Sequence, residues 1–180
     1  MRLELESGGK GALLGWGAAL LLSASLSCRA DDFVFEVASP KFKVTIPGVA
    51  QLKMEVHPRN ASQPHLRYLG SDAAYTVSVF TPTAAAGMTP LECASATVRA
   101  LAARPGVPPP AEVYKARLND NTYVAAYAAT FGGTVQMHAH LLSAAGGTHC
   151  IEVHATRTAI EEDDFAPWLK ELAKASIEPN

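Results

Sequence analysis

No charge of one sign dominates this sequence. Fifteen basic residues against 17 acidic ones leave a formal net charge of -2, and so balanced a chain builds no strong field for nucleic acid or an anionic membrane. Aromatic residues are sparse, at 7%, and are not interleaved with basic ones, which removes the stacking platform of single-strand binders. There is no phosphate loop, dinucleotide fingerprint or nucleophile elbow. Gly70-Ser71-Asp72 lacks the flanking glycines and following helix of such an elbow. Asn119-Asp120-Asn121 is turn chemistry without the spaced carboxylates and closing Glu of a calcium loop. Internal repeats and low-complexity tracts are absent. No residue pattern identifies a reaction.

What is present is enough chain for one globular domain with a real core: 180 residues, 48% of them hydrophobic. Residues 1–30 stand apart from it. Arg2 and Lys10 precede an apolar run at 11–26, and the small residues Ser25 and Ser27 flank its last residue, the layout of a secretory signal. The run is just short of a comfortable bilayer span, so an uncleaved anchor is the competing expectation. Ser25-Leu26-Ser27-Cys28 resembles a bacterial lipoprotein box with Ser where Leu is wanted. Lipidation of Cys28 and cleavage after Ala30 are the two alternatives. Either way the domain at 31–180 is expected outside the cytoplasm, periplasmic or membrane-anchored, in a bacterium.

The domain is organised around residues 122–156, which read as three antiparallel strands. In the middle one Val135, Met137, Ala139 and Leu141 alternate with Gln136, His138 and His140, the period of two a strand requires. One face is core and the other carries histidines. Gly132-Gly133 predicts a two-residue turn setting Val124, Ala126 and Ala128 against Leu141, Ala139 and Met137. Ala145-Gly146-Gly147 is expected as the next loop, which places Ile151, Val153 and Ala155 opposite Leu141, Ala139 and Met137. In that register His138 faces His154 and His140 faces Glu152. Tyr123, Tyr127, Leu142 and Cys150 share the histidine face, so a helix or the N-terminal strands should cover part of it.

Elsewhere, period-two runs at 33–37, 42–46 and 52–56 predict three short strands, followed by a pair at 66–69 and 74–81. Thr89-Pro90-Leu91-Glu92 is a capping box with Pro at the first helical position. Leu91, Ala94, Val98 and Leu101 form the stripe of that helix. A proline linker and a strand at 112–118 lead into the meander. The acidic run at 161–164 favours a helix start, and Phe165, Trp168, Leu169, Leu172 and Ala173 form the second docking stripe.

The chemical lead is His138, His140 and His154 with Glu152. A His-x-His pair with a third His across from it predicts a site for zinc or copper, with Glu152 as a fourth ligand or as the orienting group. A half-solvated polar face is the plainer expectation, and it implies no cofactor. Cys93 and Cys150 invite a disulfide in an oxidising compartment. Cys93, however, lies about 130° around its helix from the stripe centre. If that helix docks on the core face, the two alpha carbons exceed the roughly 7 Å limit of a bridge, and two free thiols result.

Phe42-Lys43-Val44-Thr45-Ile46-Pro47-Gly48, Ala74-Tyr75-Thr76-Val77-Ser78-Val79, the Thr89-Pro90 helix start and residues 165–177 together resemble the PsbP-like α/β/α sandwich. That family includes extrinsic photosystem subunits, a Ran-binding transport factor and exported bacterial domains related to the DcrB lipoprotein. The resemblance implies an α+β domain, an antiparallel sheet flanked by two main helices. It also implies a binding or assembly module without a common active site. The expected function is an exported, non-enzymatic module contacting a protein or envelope partner. A metal-binding protein or metal-dependent enzyme built on the histidine face is the alternative.

Overall fold

A computed structural model describes residues 32–58, 61–159 and 164–179. The signal segment, Cys28 and acidic residues 161–163 lie outside them. In chain order the elements are β1 (Phe33–Ala38), β2 (Lys41–Ile46), β3 (Glu55–Val56), β4 (Leu66–Ser71), β5 (Tyr75–Phe80), α1 (Pro90–Ala102), β6 (Tyr114–Arg117), β7 (Tyr123–Phe131), β8 (Thr134–Ala145), β9 (His149–Thr158), α2 (Phe165–Leu172) and β10 (Ser176–Pro179).

The expected helix-flanked sandwich is overturned. The strands form two antiparallel sheets, one of three strands ordered β1-β2-β10 and one of seven ordered β3-β4-β5-β9-β8-β7-β6. The two helices are short. One face of the large sheet is covered chiefly by the small sheet, with α2 beside it. Phe33, Phe42, Val44 and Ile46 of β1 and β2 pack with Val77, Met137, Leu141 and Val153 of the large sheet, and Trp168 and Leu172 of α2 join the same core. The physical reason lies in the first two strands and the last. Their apolar residues alternate cleanly, so a separate hairpin buries one whole face. After Leu172 the chain returns as β10 and pairs with β2, Ile177 opposite Val44. Residues 173–177 therefore do not continue the helix. Pro179 lacks a donor and biases Glu178 towards extended backbone.

Helix α1 lies on the opposite face, over β7, β8 and β9. Its capping box forms: the Thr89 amide donates to Glu92 Oε2 at 2.8 Å, and the Glu92 amide donates to Thr89 Oγ1 at 3.3 Å. The buried side of the helix keeps Ala94, Val98 and Leu101 of the expected stripe but takes Cys93 in place of Leu91. Cys93, Ala94 and Leu101 are buried, whereas Leu91 is 54% exposed. The helix is rolled towards Cys93.

One buried hydroxyl joins the two sheets. The Ile177 amide donates to Thr122 Oγ1 at 2.8 Å, and that hydroxyl lies 3.4 Å from the Ile177 carbonyl oxygen. Thr122 is fully buried at the entrance to β7, so the β10 backbone is satisfied across the interface between layers. Thr122→Val keeps the shape and strands the Ile177 amide. We expect it to lower unfolding free energy by about 1–3 kcal/mol, measured by urea denaturation.

Candidate functional site

The histidine face is a buried layer beneath α1. The β7–β8 hairpin has the expected register, Val124 opposite Leu141 and Ala126 opposite Ala139, closed by Gly132 and Gly133, both with positive φ. The β8–β9 register differs from expectation by two residues. His140 lies opposite His154, Leu142 opposite Glu152 and Ala139 opposite Ala155. The loop is thus Gly146-Gly147-Thr148, and residues after β5 hold it there. The Gly87 amide donates to the Gly147 carbonyl and the Ala84 amide to the Thr148 carbonyl, each at 2.8 Å. A shift of two leaves every side chain on its expected face. It converts the two anticipated direct pairs into diagonal ones, and both are realised as contacts. His138 Nδ1 lies 3.1 Å from His154 Nε2, and His140 Nδ1 lies 2.9 Å from Glu152 Oε1.

The four side chains form one connected row. His140 is 0% exposed, and its ring stacks on His154 with centroids 4.1 Å apart and planes 5° from parallel. His138 stacks on Tyr127 at 4.8 Å and on His154 at 5.3 Å. Because a carboxylate only accepts, His140 Nδ1–H donates to Glu152, and the lone pair of a neutral His140 sits on Nε2. His140 Nε2 and His138 Nε2 are buried without a hydrogen-bond partner among the described residues. Burial drives the His138 pKa down to about 4 and holds His154 well below its ordinary value; the neighbouring His140 adds to both effects, and His138 and Arg104 act on His154. Only one proton fits between His138 and His154, so charging both sets N–H against N–H.

This arrangement bears directly on the metal expectation. An ion bonds to an imidazole in the plane of its ring at about 2.0–2.1 Å, and rings stacked in parallel direct their lone pairs into separate planes. Among the described residues, no three His, Cys, Asp or Glu side chains come together as a metal set. His138, His140, His154 and Glu152 are brought together as a hydrogen-bonded and stacked row. Ser143 Oγ, buried and without a partner among the described residues, lies opposite Ile151 on the other face of β8. It is out of line with His140 and Glu152 as a nucleophile.

Cys93 and Cys150 are joined by a disulfide, their alpha carbons 5.4 Å apart. The geometric objection assumed docking on the core face; α1 docks on the histidine face, where Cys150 lies. Sequence reasoning also missed two openings along α1. One, of about 380 Å³, runs between α1 and β5–β9 and is lined by Glu152, Arg104 and His65 among others. The other, of about 460 Å³, separates α1 from β6 and β7 and is lined by Leu91, Val98, Arg99, Lys115 and Tyr123 among others. The only signal for the second was the apolar stripe of α1, which reads the same whether a core or a groove receives it.

No known family model matches the chain, and no curated protein matches it in sequence. No match places the chain in the PsbP-like family. Among solved structures the chain is similar to LpqN, described as involved in cell envelope biogenesis of Mycobacterium tuberculosis. The TM-score is 0.44 at 10% identity, covering 83% of this chain and 91% of that one. Likeness at this level assigns neither a family nor a function.

The depressed histidines make acid stability a test of the row. Unfolded, each ring takes a proton near pH 6.5; folded, His138 does so only near pH 4, and His154 also lies well below 6.5. Across that window the unfolded chain binds more protons, so stability is full above pH 6.5 and falls as the pH drops towards 4. With EDTA present to exclude metal, Tm should decline from about pH 7 to about pH 5. The decline should be shallower in His138→Phe, which removes one titrating ring.

Proposed function

We propose that this chain is an exported, non-enzymatic binding module that acts on a protein partner in the cell envelope. The observation that carries the reading is the Cys93–Cys150 bridge, which ties α1 to β9. Such a bond persists outside the reducing cytoplasm, in agreement with the secretory layout of residues 1–30. The bridge fixes a helix over a sheet while leaving an open groove beside it, an arrangement suited to noncovalent recognition. Fractionation tests the compartment. Protein recovered from the envelope should show no reactive thiol at positions 93 and 150 until it is reduced, and a partner should co-purify with it in fixed stoichiometry. Cytoplasmic recovery with both thiols free, or turnover of generic esters or phosphoesters by the purified chain, removes the reading. Replacing both cysteines with Ser should cost about 2–4 kcal/mol of stability, measured by chemical denaturation.

A second reading, a zinc or copper protein, rests on the His140–Glu152 contact. A carboxylate that takes Nδ1–H and leaves Nε2 bare is the orienting arrangement found behind ligand histidines. Using it requires His138 and His154 to leave their stacked rotamers. Untagged protein that carries stoichiometric zinc, lost in His138→Ala/His154→Ala, would support this reading. A chain without metal, whose Tm zinc does not raise, ends it.

A further inference from the structure

The large sheet ends at β6, whose outer side pairs with nothing among the described residues. Which backbone groups it offers follows from the ladder. The Leu118 amide donates to the Thr122 carbonyl at 2.9 Å, and bonded and non-bonded pairs alternate along an antiparallel ladder. Ala116 and Tyr114 therefore turn their backbone groups towards Val124 and Ala126, their register partners. Lys115 and Arg117 turn their N–H and C=O groups outward. The same two residues share a face with Tyr123 and Ala125, so their side chains stand on the α1 side, at the groove of about 460 Å³.

The groove is apolar within and cationic at its rim. Leu91, Ala94, Val98, Val124 and Leu142 line it, and no lining residue is acidic. Of the three cations, Arg117 is already met by Asp120 at 2.6 Å. Lys115 donates to the neutral Pro110 carbonyl at 2.7 Å, and Arg99 has no ion pair among the described residues. The positive charge of Lys115 and Arg99 is thus unmatched. Leu91, a large apolar residue of α1 that lines the groove, is 54% exposed.

We infer that β6 receives an extended, acidic peptide segment of the protein partner as an added strand. The segment bonds to the Lys115 and Arg117 backbone, sets an apolar side chain into the groove beside α1, and places a carboxylate two residues away against Lys115 and Arg99. Alternate side chains of a strand share a face, so an acidic–x–apolar–x–acidic spacing meets rim and floor together. Edge pairing supplies affinity through main-chain bonds, and the pocket supplies selectivity. A second copy of this chain is the wrong occupant. Edge-to-edge pairing of two β6 strands brings Lys115 and Arg117 against like charges, the usual way an edge is protected from itself. An acyl chain would fill the floor but leave the outward backbone groups unused.

The inference deepens the binding-module reading and rests on it, and one set of experiments separates their failures. A randomised heptapeptide display library is selected against the full exported chain, and a selected peptide is titrated by fluorescence anisotropy. The expected winners carry acidic residues flanking an apolar one at spacing two. On binding, amide exchange at Lys115 and Arg117 should slow by about tenfold or more, with little change at Ala116. Arg117→Pro, which removes one outward donor at a position where an edge strand tolerates proline, should weaken binding by about tenfold, whereas Arg117→Gln should weaken it less. Arg99→Glu/Lys115→Glu, both exposed, should reverse the preference for acidic peptides. The inference is overturned by winners without acidic residues, by peptide binding that leaves Lys115 and Arg117 exchange unchanged, or by saturable binding of palmitate that displaces the peptide while those amides still exchange freely. An exported chain that holds a stoichiometric partner through another surface overturns this inference and leaves the binding-module reading in place. A cytoplasmic, reduced chain removes both.

Discussion

From Met137 to Ser143 every residue of β8 is buried, although the strand alternates apolar residues with His138 and His140. A strand enclosed on both faces is usually apolar on both. Here one face faces water-excluded hydrocarbon while the other holds imidazoles, which must find partners inside the protein. That constraint organises the layers. The face with Met137, Ala139 and Leu141 takes the small sheet and α2, and the face with His138 and His140 takes α1. The histidines meet it in part, by pairing among themselves and with Glu152 and by stacking on Tyr127, while Nε2 of His138 and of His140 stays without a partner among the described residues.

Covering that face is work for a short helix with few large side chains. The layer beneath α1 consists of Ala94, Val113, Ala125, Tyr127 and Leu142, a modest cluster beside the one on the other face. The Cys93–Cys150 bridge supplies what apolar area does not, a fixed position for α1 on the sheet. Rolling the helix towards Cys93 also explains why Leu91 turns away from the layer while Val98 keeps a half-buried contact with it. The groove beside β6 is a consequence of where the bridge holds the helix.

The histidine row and the open edge illustrate different uses of polar groups on one sheet. Inside, His138 and His154, held below their ordinary pKa by burial, join His140 and Glu152 in a single arrangement. At the edge, cations left unmatched stay hydrated and available. The chemistry-bearing residue types that drew notice in the sequence are thus sequestered. The surface better placed to meet a partner is built from an alanine-rich helix and two basic residues of a four-residue strand.

Local information in the sequence determined a good deal. Alternation set which side chains of β7, β8 and β9 share a face, Gly132-Gly133 set the register of one hairpin, and Thr89-Pro90-Leu91-Glu92 set the start of α1. Each depends on neighbours within a few residues, where backbone sterics and pleat period suffice. Tertiary contacts decided the rest. Residues 82–87 gripping the second hairpin shifted its register by two and its loop by one, and traded direct histidine pairs for diagonal ones. Burial of Phe33, Phe42 and Ile46 made β1 and β2 a separate sheet, and β2 drew residues 176–179 out of the terminal helix. The face on which α1 docks, and with it the bridge, the buried histidines and the open edge, depends on two apolar surfaces of similar appearance competing for the same cover. No periodicity within α1 distinguishes them, because its stripe reads as apolar towards either.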